Sequence, residues 1–90
     1  MDRRVTDVDW RLDHGADELI GRAFRFGRWW PYRDGWDHDH CQFCFSEISA
    51  DETGHADHNA GWVTAEDAYF WVCVGCFDDF RERFKWSVAA

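Results

Sequence analysis

Apolar and charged residues alternate over residues 8–13: Val8, Trp10 and Leu12 fall on one side and Asp9, Arg11 and Asp13 on the other. That period of two predicts a short half-buried strand, preceded by a frayed start over residues 1–4 and broken by His14 and Gly15. Residues 17–30 carry two patterns at once. Leu19, Ile20, Ala23 and Phe24 share a helical stripe, whereas Ile20, Phe24, Phe26 and Trp30 share one face of a strand. Gly21 and Gly27 weaken a helix more than a strand edge, and the aromatic run favours sheet, so a strand over 19–29 is the preferred reading. Pro31 and Gly35 interrupt regular structure and make 31–39 a connector. A first hairpin strand is expected over 45–48, then a polar loop over 49–60 that holds Asp51, Glu52, His55, Asp57 and His58. Residues 61–64 and 69–73 read as a second hairpin around a turn at 65–68, with Tyr69, Trp71 and Cys73 on one side.

The strongest helical pattern covers residues 74–86. Phe77, Phe80 and Phe84 recur at i, i+3 and i+7, with Asp78, Asp79, Glu82, Arg83 and Lys85 around them. Acids near its start and bases near its end suit the helix dipole, and Asp79 with Arg83 forms a favourable i, i+4 pair. Cys76 falls in the first turn, where amides and the positive dipole end favour a thiolate.

All four cysteines lie in two C-x2-C pairs, Cys41 with Cys44 and Cys73 with Cys76, separated by 28 residues. This spacing lets a backbone fold back and aim two sulfurs at one point, which predicts a tetrahedral zinc site of four thiolates. Redox dithiols, disulfides and other metals are the competing uses. Neither pair opens a helix after a strand in a βαβ setting, which counts against a thioredoxin-like role. No apolar run near Met1 resembles a signal peptide and no stretch approaches the ~20 apolar residues of a membrane span. The expectation is a cytoplasmic protein with reduced thiols and no membrane partner.

Ninety residues predict one domain over 1–90, with strands and connector in 1–35 and the zinc-binding half in 36–90. A chain this short buries only about two thirds of its unfolded surface, so a metal is a useful stabiliser. The formal net charge of −8 becomes two units more negative with four thiolates and one divalent ion, which argues against nucleic acid as a general partner. Seven Trp, eight Phe and two Tyr exceed what so small a core needs. Trp29, Trp30, Tyr32 and Trp36 are therefore candidate partner-binding residues, set beside a basic patch of Arg22, Arg25, Arg28 and Arg33; folding back onto the core is their alternative use.

His38 and His40 precede Cys41 directly. Four thiolates already complete a zinc shell, so the two histidines are second-shell candidates that could hydrogen-bond a sulfur. Cys41, Cys44, His55 and His58 could form a finger with two cysteines and two histidines, but the residues between them lack an apolar helical stripe.

A knuckle, a hairpin and a helix whose first turn carries the last cysteines occur in that order in treble-clef zinc proteins, which this chain resembles. Over Trp36 to Trp86 it is also similar to small uncharacterised bacterial zinc proteins, treble-clef or zinc-ribbon-like, with His-Asp-His-Cys-x-Phe-Cys and Trp-x-Cys-x2-Cys-Phe-x-Asp-Phe motifs. Here these read His38 to Cys44 and Trp71 to Phe80, within a match covering a little over half the chain. The resemblance implies an α+β domain stabilised by Zn2+, with antiparallel strands and one C-terminal helix. Many such knuckles place glycine after the second cysteine, where this chain has Phe45 and Phe77.

A closed four-thiolate shell leaves no position for substrate, which favours a non-enzymatic protein-interaction module. One alternative is an acidic inhibitor or immunity-type protein that fills the basic cleft of a toxin or nuclease. The other is an enzyme with a second metal held by His38, His40, His55 and His58 together with Asp37, Asp39, Asp51 and Asp57.

Overall fold

The computed structural model describes residues 10–12, 17–50 and 56–89. Expectations placed on residues 1–9, His14, Asp51, Glu52 and His55 lie outside them. Within them the chain is a small mixed α+β structure: strands β1 (Ala23–Arg28), β2 (Asp39–His40), β3 (Glu47–Ile48), β4 (Ala60–Thr64), β5 (Trp71–Val72) and β6 (Ser87–Val88), with helix α1 (Val74–Phe80) between the last two. One sheet has the order β5-β4-β1-β6, and β2 pairs with β3 in a second. All pairings are antiparallel except β1 with β6.

Strand alternation sorts the larger sheet into two faces. Phe24 opposes Thr64, Phe26 opposes Trp62, and Trp62 opposes Val72, so these share one face. Helix α1 covers it, with Phe77 stacked on Trp62 at 4.1 Å between ring centroids. Arg25, Gly27, Gly61, Val63 and Trp71 occupy the other face. Gly27 and Gly61 lie opposite each other; a Cβ would meet Trp30 from Gly27 and Trp71 from Gly61 at 3.7 Å, an ordinary contact, whereas at Gly61 it would also stand 3.0 Å from the Val72 carbonyl oxygen. Trp30 packs edge-on against Trp71 above them.

The helical pattern of Phe77, Phe80 and Phe84 is buried as its spacing predicts. Together with Phe24, Phe43 and Trp86 these rings form most of the core around α1. Phe43, from the first cysteine pair, reaches Phe80, Phe84 and Trp86 at centroid distances of 4.9, 5.4 and 5.7 Å. Aromatic packing thereby joins the two cysteine pairs before any metal is considered.

The hairpin of β4 and β5 matches the sequence reading, but four elements differ. The alternating segment that includes residues 10–12 is a 3-10 turn at Trp10–Leu12 instead of a strand. β6 already occupies the second edge of β1, and Arg11 is drawn instead to Asp79 and Cys76. β1 starts at Ala23 because Asp17–Leu19 is a 3-10 turn and Gly21, at φ +76, redirects the chain. Regular helix ends at Phe80, well short of residue 86. Phe84 N–H still donates to Phe80 O, after which Lys85 takes a left-handed φ of +59. Lys85 N–H donates to Glu82 O and Trp86 N–H to Arg81 O, the paired bonds of a Schellman cap. The cap turns Trp86 inward, where its indole N–H donates to Leu19 O at 2.8 Å, and sends the following residues along β1.

The expected first strand, 45–48, is realised only at β3, and it pairs backward with β2, which begins on the last residue of the segment read as a connector. Cys41 to Cys44 therefore form the tip of a hairpin.

Candidate metal centre

Backbone bonds shape the first pair. Cys41 N–H donates to Ser46 O and Phe45 N–H to Cys41 O, closing a tight knuckle, while Phe43 N–H points to Cys41 Sγ at 3.4 Å. Phe45 adopts the left-handed region at φ +65, the conformation that makes glycine common at this place. Phe77 needs no such freedom, because it follows Cys76 inside α1. The knuckle docks on the hairpin through Gln42 N–H to Trp71 O, and β5 carries the chain into Cys73. Cys73 is the N-cap of α1 and Cys76 lies in its first turn, so strand end and helix start aim two sulfurs at the knuckle.

The result is a convergent cluster: the four Sγ atoms lie within 4.8 Å of one another. Cys44 Sγ and Cys73 Sγ are 3.7 Å apart. A tetrahedron with metal–sulfur bonds of about 2.3 Å has edges of roughly 3.8 Å, whereas a disulfide needs about 2.0 Å. All four thiols are free; Cys41, Cys73 and Cys76 are buried and Cys44 is half-buried.

Crowding splits their acidities. Hydrogen bonding from the Cys76 side chain, helped by the amides of Cys44, Cys73 and Phe43 and opposed by burial, lowers Cys41 from 9.0 to about 4. Cys76 is pushed above the ordinary thiol range, first by that same interaction with Cys41 and then by burial. Burial is also the main cause that raises Cys73. One thiolate is thus favoured within a group whose neighbours resist further ionisation, and a cation among the sulfurs would relieve that resistance.

Around the sulfurs stand Arg11 and Ser46, which the sequence did not single out, and His58, which it offered only as a ligand. Arg11 Nη1 donates to Cys76 Sγ at 3.5 Å, and Ser46 Oγ lies 3.1 Å from Cys44 Sγ. His58 Nε2 is 3.1 Å from Ser46 Oγ, which makes His58 an outer partner of the cluster instead of a finger ligand. Cys73 N–H points to Cys41 Sγ at 3.4 Å. Ser46 had a local signal, a hydroxyl two residues beyond Cys44; Arg11 had none, being 65 residues from its sulfur. His38 bonds Asp37 through Nδ1 at 2.7 Å, and its ring packs edge-on against His40 at 4.9 Å. Among the described residues the four cysteines are the only group of three or more potential ligands that converges.

The four aromatic candidates part company. Trp29 is buried, and its indole N–H donates to Asp39 Oδ2 at 2.8 Å; such a ring offers no contact surface. Trp36 is half-buried and donates to the same oxygen at 3.0 Å. Trp30 and Tyr32 are exposed. Tyr32 joins Trp36 and Tyr69 in a cluster with centroids 5.0 to 6.2 Å apart. Of the arginines expected as a basic patch, Arg22 pairs with Asp67 at 3.0 Å and Arg33 lies over Trp36.

Comparison with protein families, with characterised proteins and with solved structures finds no match for this chain.

Proposed function

We propose that this chain is a small treble-clef-like zinc protein whose metal is structural and whose work is to bind another protein. Convergence of four cysteine sulfurs within 4.8 Å carries the reading. Zn2+ is the ion that best suits four thiolates at tetrahedral spacing, having no geometric preference of its own to oppose theirs. The order of knuckle, β4–β5 hairpin and α1 supports the treble-clef assignment.

Cys41, Cys44, Cys73 and Cys76 fill a four-coordinate shell, which leaves the metal no place for water or substrate. Its contribution is to tie hairpin, knuckle and helix together. Exposed Trp30, Tyr32 and Tyr69 supply a contact surface of a kind that proteins use. Net negative charge disfavours nucleic acid as the partner. Among the described residues no helix is long and apolar enough to cross a membrane.

Native mass spectrometry of the purified protein should find one zinc per chain, and chelation should abolish the cooperative melt. Structural zinc in small domains is commonly worth on the order of 10 kcal/mol, so Cys73→Ser should yield an unfolded or aggregating chain. A metal-free protein with unchanged circular dichroism and melting would refute the reading. Two metals per chain would favour an enzyme.

A further inference from the structure

Beside the knuckle lies a depression of about 440 Å3, lined by Asp39, His40, Cys41, Gln42, Phe45 and Tyr69. That volume is within the roughly 300–1,000 Å3 range of small-ligand pockets. Its walls combine two exposed rings, Phe45 at 53% and Tyr69 at 41%, with one carboxylate, one imidazole and no lysine or arginine. The indoles of Trp29 and Trp36 both donate to Oδ2 of Asp39, which fixes the carboxylate in place. Among the described residues its Oδ1 accepts no hydrogen bond. Tyr32 and Trp36 extend the aromatic surface beyond Tyr69.

Phe45 adds a second kind of evidence. Its left-handed backbone is easier for glycine, yet the chain keeps a large ring there and exposes half of it at the edge of the depression. A third observation concerns ligand type: the chain's own Arg33 lies 5.5 Å from the centroid of Trp36, whose ring adjoins Tyr69 next to the depression, so the neighbouring aromatic cluster already packs a guanidinium. Aromatic faces beside an anchored carboxylate match the planar, forked, cationic group of arginine better than they match an ammonium or an anion. Net charge of −8 makes a basic segment the complementary partner.

We propose that this depression receives an arginine side chain from a basic segment of a protein partner, its guanidinium lying against Phe45 and Tyr69 and paired with Asp39. This deepens the interaction-module reading and rests on it.

The test uses the zinc-loaded full chain, with metal content measured in the same sample. Short capped Gly-Ser peptides carrying two adjacent arginines are titrated against it by amide NMR, alongside peptides with citrulline in place of arginine. Citrulline keeps the shape and removes the charge. The expected result is a set of shifts centred on His40, Gln42, Phe45 and Tyr69, with affinity lower by about tenfold or more for the citrulline peptide. Phe45→Gly, which suits the knuckle backbone, and Asp39→Asn, which keeps an acceptor for both indoles, should each weaken binding about tenfold while zinc content and melting persist. No binding to the zinc-loaded chain, equal binding of the citrulline peptide, or shifts centred elsewhere would overturn the arginine site and leave the zinc module standing. Absence of zinc from the folded protein would remove both.

Discussion

Arg11 and Cys76, 65 residues apart, meet at the edge of the sulfur cluster, where Arg11 Nη1 donates to Cys76 Sγ at 3.5 Å and to Asp79 Oδ2 at 3.0 Å. The guanidinium also lies over the Phe80 ring, 4.5 Å from its centroid. Four thiolates around a divalent ion carry two net negative charges, and a fixed cation beside one sulfur offsets part of that charge. Arg11→Met should therefore weaken zinc binding by about tenfold, with Arg11→Lys intermediate, as read by competition with a chromophoric chelator. Equal affinities in all three proteins would show that the contact is only packing.

Phe45 bears strain that glycine would relieve. A left-handed L-residue costs about 1–2 kcal/mol, partly offset in a glycine variant by the greater entropy of its unfolded chain. Phe45→Gly should melt at or slightly above the wild-type temperature. Phe45→Val, branched at Cβ, should lose about 1 kcal/mol or more. The reverse order in thermal unfolding would contradict the strain.

Two glycines should respond with opposite signs to the same change. A Cβ at Gly61 would stand 3.0 Å from the Val72 carbonyl oxygen, a backbone atom held in the hairpin. Gly61→Ala should cost about 1–3 kcal/mol. Gly75 lies in α1 with nothing within 4 Å of its would-be Cβ, so Gly75→Ala should gain about 0.5–1 kcal/mol. Denaturant titration of both variants checks the pair.

The β4–β5 turn carries a pH signature. Asp67 accepts hydrogen bonds from Thr64 Oγ1, from Arg22 and from Tyr69 N–H. Burial is the largest single influence on Asp67 and opposes its ionisation, but those donors together outweigh it and hold its carboxyl below the ordinary aspartate range. A depressed folded pKa stabilises the fold above the unfolded value, and the contribution is lost as pH falls through the folded one. With zinc in excess, the melting difference between wild type and Asp67→Asn should be constant above about pH 5 and shrink below the ordinary carboxylate range. A gap that does not change down to the acid limit of folding would assign the effect to geometry alone.

The local patterns in this chain established local things. Two C-x2-C pairs marked out four sulfurs that converge, because short spacing brings sulfurs close enough to share an ion, and the recurrence of Phe77, Phe80 and Phe84 marks a buried face because helical periodicity is a property of neighbours. The β4–β5 hairpin was legible for the same reason. What required the tertiary structure were the long-range partners. β6 pairs with β1 because the cap at Lys85 turns the chain; β2 forms at the end of a supposed connector because β3 folds back on it; and Arg11 leaves a strand-like pattern for a sulfur at the other end of the chain. Even the aromatic run of residues 29–36 divides this way: its composition was plain, yet Asp39 and the sheet decide that Trp29 is buried while Trp30 and Tyr32 face solvent. Alternation and spacing record what a residue does relative to its neighbours, whereas burial and pairing depend on which distant segment arrives, and nothing local encodes that arrival.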